Sequence, residues 1–131
     1  MANSDNVLRG GLTPKHVDVD ELLRVLTFDS GPVDVLAPRA TETGEIRYET
    51  PAEEFSLARI EVSAGAHYEA SAERAIEILL CTSGAGRIGE ELQSGIARGD
   101  CLLVPAAAPA YRIEGPVTIY RATVGEAQSE R

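Results

Sequence analysis

GAHYEASAERAIEILLCTSG, residues 65–84, and GDCLLVPAAAPAY, residues 99–111, are the stretches whose reading decides the fold. Each contains a short apolar run, AIEILLCT (75–82) and DCLLVP (100–105), closed by Gly, Ser or Pro and lacking a helical period. Outward from them the same design recurs as VDVL (33–36), EIRY (45–48), EFSLARIEV (54–62), GRIG (86–89), QSGIAR (93–98), AYRIEG (110–115) and VTIYRATV (117–124). Many short strands separated by turn residues about every ten positions predict an all-β sandwich, jelly roll or barrel. Residues 37–54, APRATETGEIRYETPAEE, are polar with two prolines and read as an excursion lying on the body of the domain. The closing GEAQSER reads as a frayed tail.

One helix precedes the strands. Val19, Leu22, Leu23 and Leu26 fall at i, i+3, i+4 and i+7, and Asp18 with Glu21 gives an acidic form of the capping-box spacing. The spacing predicts a short amphipathic helix ending near Thr27 and Phe28, before the stop signal Asp29, Ser30, Gly31, Pro32.

Composition narrows the partners. With 131 residues and 44% hydrophobic content the chain can bury one core, so one structural domain is expected overall. A net charge of -9 repels phosphodiester backbones and anionic lipid, which argues against nucleic acid and membrane surfaces. The longest apolar core, IEILLCT, is far too short to span a bilayer, and no signal sequence opens the chain, so the protein reads as soluble and cytoplasmic. Cys81 and Cys101 form no CxxC pair; each lies inside an apolar run and is expected to be a reduced core residue. Paired glutamates such as Glu53–Glu54 and Glu90–Glu91 read as solvated faces.

The spacing of Gly65, His67, Glu77 and Gly84, followed by Gly99 and Pro105, resembles the two-motif layout of the cupin superfamily. That resemblance implies a cupin-like jelly roll, a double-stranded β-helix. The metal ligands of the pattern do not follow: one His stands where two are expected, and AAAPAY after Val104 and Pro105 supplies no third. One His and one Glu cannot close a transition-metal site. His67 is therefore expected to be a partly buried or surface histidine on a metal-free cupin.

The opening 26 residues, MANSDNVLRGGLTPKHVDVDELLRVL, hold the remaining chemistry. Asp5 and Arg9 can pair across one helical turn or share one face of an extended segment. Lys15 is the only lysine beside eleven arginines, which suggests that a compact ammonium is wanted there. Gly10 and Gly11 permit a turn with positive φ or a close backbone approach. Spacing alone leaves two readings open: a structural ion pair, or an anion or oxyanion site built from Arg9 and Lys15 with Asp5 orienting the arginine or moving a proton. No GxSxG, GxxxxGK or HExxH motif occurs.

This opening string is very similar to part of the signature of the type I mannose-6-phosphate isomerases, in which SDN, an Arg, a Gly-containing pair and TPK recur in that order. The similarity is specific over about 25 residues, with Gly10 in place of the commoner Ala, and loose over the rest, where Tyr120, Arg121 and Ala122 match a closing YRA-type strand. The resemblance divides the chain into residues 1–30, a signature segment with the helix, and 31–131, a C-terminal metal-free cupin-like barrel. It implies interconversion of mannose 6-phosphate and fructose 6-phosphate at a zinc site, with Arg9 at the catalytic arginine position, Asp5 at that of a nearby acid and Lys15 at that of a cation near the mouth. It also implies that the zinc ligands lie upstream, in a missing N-terminal catalytic domain. On that basis the chain is the C-terminal part of an isomerase, inactive alone and binding no zinc. The alternative is a free-standing, non-catalytic cupin module that binds a sugar phosphate or serves a structural role, with homodimerisation left open.

Overall fold

The computed structural model describes residues 7–32, 35–91 and 93–124. The chain divides into two compact units, Met1–Val35 and Leu36–Arg131.

The first unit is built around helix α1, Val19–Val25. Asp18 caps it: its side chain accepts from the Glu21 N–H at 3.0 Å, and Glu21 in turn pairs with Arg24 at 2.6 Å. The acidic capping signal therefore places the start of the helix correctly. Its apolar stripe is mostly uncovered: α1 buries no residue, Val19, Leu23 and Leu26 are exposed, and Leu22 is half-buried. The positive-φ turn expected of the glycine pair falls at Gly11 (φ 145°) and Leu12 (φ 54°). A Cβ on Gly10 would lie an ordinary 3.6 Å from Leu22 Cδ2, so alanine fits there.

The second unit is a curled, wholly antiparallel sheet. Its strands are β1 (Pro38–Ala40), β2 (Glu45–Tyr48), β3 (Ser56–Val62), β4 (His67–Ala70), β5 (Glu77–Gly89), β6 (Ser94–Ala97), β7 (Cys101–Val104), β8 (Tyr111–Glu114) and β9 (Val117–Thr123). Hydrogen bonding runs in the order β1-β2-β3-β9-β5-β8-β4, with β6 and β7 also on β5. AIEILLCT and GRIG, expected as two strands, are one strand of 13 residues. A register shift between Cys81 and Ser83 bends β5, so that its first half pairs with β7 and β9 and its second half with β6 and β8. A bulge turns a strand without ending it, which is why the turn-like SGAG does not break this one. Close packing at the bend also needs glycine: a Cβ would lie 2.2 Å from Pro116 O at Gly84 and 1.9 Å from Glu114 O at Gly86.

Two further expectations are corrected. Of VDVL, Val33 and Asp34 lie outside the described residues and 35–36 are not strand, whereas the polar excursion begins with strand β1 at Pro38. His67–Ala70, expected only as part of a motif, is strand β4.

Alternation decides what is inside. Along β5, Glu77, Leu79 and Cys81 are buried while Ile78 and Leu80 face outward. Leu79 and Cys81, together with Ile60, Ile113 and Ile119, form the centre of one core. Cys101 stands opposite Leu80 and is exposed, so it is not a core residue as expected from its apolar run; both cysteines are free. Leu79 is 0% exposed and Leu80 42% exposed. Leu79→Ala is accordingly expected to cost about 2–5 kcal/mol of unfolding free energy, and Leu80→Ala less than about 1 kcal/mol, measured by urea denaturation.

Candidate functional site

Inward-facing positions of a barrel this small should be apolar, yet five of its strands send polar groups into one end. Glu45 opens β2, Tyr68 lies on β4, Glu77 opens β5, Tyr111 opens β8 and Arg121 lies near the end of β9. The Arg121 guanidinium joins them, donating from Nη1 to Glu77 Oε1 at 2.9 Å and from Nη2 to Glu45 Oε2 at 2.5 Å. Each carboxylate receives a phenol on its other oxygen: Tyr68 donates to Glu45 Oε1, and Tyr111 to Glu77 Oε2 at 2.9 Å. Arg74, in the turn before β5, adds a second cation. Its Nε stands 3.5 Å from Glu77 Oε2, its Nη2 donates to the carbonyls of Ala108 and Pro109 at 2.6 and 2.8 Å, and its guanidinium lies 5.2 Å from the Tyr111 ring centroid.

Glu45 and Glu77 are 2% and 1% exposed, so their charges would be costly without these partners. For Arg121, burial opposes the charge but Glu45, Tyr68 and Glu77 outweigh it, and its pKa is raised. Burial, with the adjoining carboxylates, pushes both Tyr68 and Tyr111 far above the ordinary phenol range. The network pairs two carboxylates with two guanidiniums and two phenols, and leaves only Nε of Arg74 and of Arg121 without a hydrogen bond. Above it, toward solvent, lies an open cavity of about 340 Å³.

The residues expected from the sequence lie elsewhere. Arg9 is half-buried and Lys15 exposed, both in the first unit, and Asp5 lies outside the described residues. Lys15 donates its backbone N–H to Thr13 Oγ1 at 3.2 Å, and among the described residues no hydrogen bond joins Arg9 to Lys15. His67 is exposed on the outer side of β4, 3.6 Å from Glu69, which Arg112 engages at 2.6 Å. Glu77, part of the cupin-like spacing, is buried in the barrel, and its partners are two arginines and a tyrosine. Sequence reading missed Glu45, Tyr68, Arg74, Tyr111 and Arg121 as a group. Their one signal is parity: Glu77 stands two before Leu79, and Arg121 two after Ile119, so both are charged residues on a core-facing row.

No family model matches the chain. Mannose-6-phosphate isomerase 1 of Arabidopsis thaliana is 33% identical over 126 residues, covering 95% of this chain, and the mannose-6-phosphate isomerase of Cryptococcus neoformans is 37% identical over 113 residues. The chain belongs to the mannose-6-phosphate isomerase family. It spans 29% and 26% of the length of those two relatives. Among solved structures, the Salmonella typhimurium mannose 6-phosphate isomerase bound to fructose 6-phosphate and zinc superposes with a TM-score of 0.77 at 26% identity, covering 96% of this chain and 32% of that one. The likeness identifies the curled sheet as a cupin-like jelly roll.

The zinc of that relative can be tested against the donors of this chain. Among the described residues no three His, Cys, Asp or Glu side chains come together. Glu77 is committed to Arg121, Arg74 and Tyr111, and His67 is on the outer surface. The described residues do not fit a zinc ion.

Arg121→Met removes the cation shared by two buried carboxylates and is expected to cost about 3–5 kcal/mol; Tyr111→Phe, which removes one hydrogen bond, should cost about 1–2 kcal/mol. Chemical denaturation checks both. The tyrosines also set an alkaline limit. Because their folded pKa values are raised, their contribution is fully present below the unfolded phenol pKa of about 10 and is lost as pH rises beyond it. The melting temperature should fall steeply above pH of about 10, and less steeply in the Tyr68→Phe/Tyr111→Phe double variant.

Proposed function

We propose that this chain is the C-terminal part of a zinc-dependent aldose–ketose isomerase that interconverts mannose 6-phosphate and fructose 6-phosphate in the cytoplasm. The observation that carries this is the match of nearly the whole chain to mannose-6-phosphate isomerases of which it spans only about a quarter to a third. Arg9 is then the catalytic arginine, its guanidinium donating to oxygen as negative charge develops during enolisation. Lys15 is a cation that attracts the phosphorylated substrate to the mouth, and Asp5 supports Arg9 or relays a proton. The metal would be held by side chains of the remaining polypeptide, since the described donors of this chain do not assemble a site.

A second feature supports a larger assembly. Helix α1 has seven residues and buries none, too few turns to persist on helix propensity alone. Its apolar stripe of Val19, Leu23 and Leu26 is exposed and would be covered by the rest of the isomerase. A free-standing cupin module is the competing assignment.

The purified 131-residue chain is expected to show no turnover of mannose 6-phosphate, with or without added zinc. In the longer protein Arg9→Ala should lower kcat by about 10²-fold or more. Zinc-dependent turnover by the 131-residue chain would overturn its inactivity. A stop codon just upstream of the codon for Met1 in the native gene would leave the free-standing module.

A further inference from the structure

The cavity above the Arg121 network is formed wholly by the second unit, at the end of the barrel where β2, β3, β5 and β9 present their termini. Its deep wall is paired in charge: Arg121 spans Glu45 and Glu77, and both carboxylates also receive phenols, leaving Nε of Arg74 and of Arg121 as buried donors without a hydrogen bond. No buried charge therefore awaits a counter-ion, which disfavours a metal, a phosphate or a simple ammonium as occupant. The outer wall is dense in hydroxyls, with Thr43, Ser56, Ser71 and Thr123, and mixed in charge, with Glu69 and Glu73 beside Arg47 and Arg74. Among the described residues the side chains of Ser56 and Glu73 have no hydrogen bond or ion pair, so their capacity is open to a ligand.

We infer that the mouth of the barrel binds a small neutral polyhydroxy compound of the hexose or alditol class, at a site built from second-unit residues alone. A hydroxyl both donates and accepts, so a polyol can satisfy carboxylate, guanidinium and hydroxyl walls at once, the unpartnered Nε donors included, without bringing a charge against the paired ones. Size agrees with chemistry. The cavity of about 340 Å³ has room for about eleven waters at roughly 30 Å³ each, close to the number of non-hydrogen atoms in a hexose. Tyr68, Ala75 and Val124 give the small apolar surface that the carbon-bound hydrogens of such a ligand need. The inference does not depend on the isomerase assignment, whose residues lie in the first unit.

The test is titration of the purified full chain with D-mannitol, D-mannose and inorganic phosphate, followed by calorimetry and by amide chemical shifts. The expected result is saturable binding of mannitol or mannose in the millimolar range, with shifts centred on Thr43, Ser56, Glu73 and Thr123, and no saturable response to phosphate. Glu73→Gln should weaken that binding severalfold and Ser56→Phe, which fills the mouth, should abolish it, while Arg9→Ala leaves it unchanged. Should Ser56→Phe fail to fold, the wild-type shift map and Glu73→Gln decide. Absence of saturable binding by either polyol, shifts confined to residues 7–15, or a saturable response to phosphate at the mouth would overturn the inference.

Discussion

The guanidinium of Arg121, held between Glu45 and Glu77, is the interaction on which the barrel depends. It ties β9 to β2 on one side and to β5 on the other, and the two carboxylates extend the connection to β4 and β8 through Tyr68 and Tyr111. Five strands of one curled sheet thus converge on a single planar cation. Buried ion pairs are poor sources of net stability because each charge must leave water. They are strong constraints, however, because a partner displaced by one residue in register would strand a charge in the core. The network fixes which way the strands of this end of the barrel must face.

That constraint also explains what the interior can accommodate. Glu77 occupies the position that the cupin spacing reserves for a metal-binding carboxylate, but in this chain an internal cation answers it. With Arg74 as second partner and the Tyr111 hydroxyl as third, the carboxylate has no free geometry for an ion. The chemistry of the barrel is consequently that of hydrogen bonding at a polar mouth.

The match to mannose-6-phosphate isomerases extends over both units. Arg9 and Lys15 lie in a unit whose helix buries none of its residues, whereas the second unit has its own core and a polar interior in which the carboxylates of Glu45 and Glu77 are both paired.

Local signals were legible because local physics produces them. Asp18 and Glu21 marked the helix start since a carboxylate three residues before an N–H can cap it, and EIRY coincided with β2 because alternation and flanking turns suffice to specify a strand. The SDN–Arg–TPK string was legible as a motif for a different reason, being a pattern of residue types that needs no coordinates. What the sequence could not decide was which side of each strand would face inward and which distant side chains would meet. Ile78 and Leu80 look as apolar as Leu79, yet only the tertiary sheet, through the pleat of β5 and its pairing with β7 and β9, turned them outward. The bulge after Cys81, which makes one strand of two expected ones, follows from pairing with two sets of neighbours. Glu45 and Arg121 are 76 positions apart, and no local pattern anticipates a charge pair whose members become neighbours only when the sheet curls.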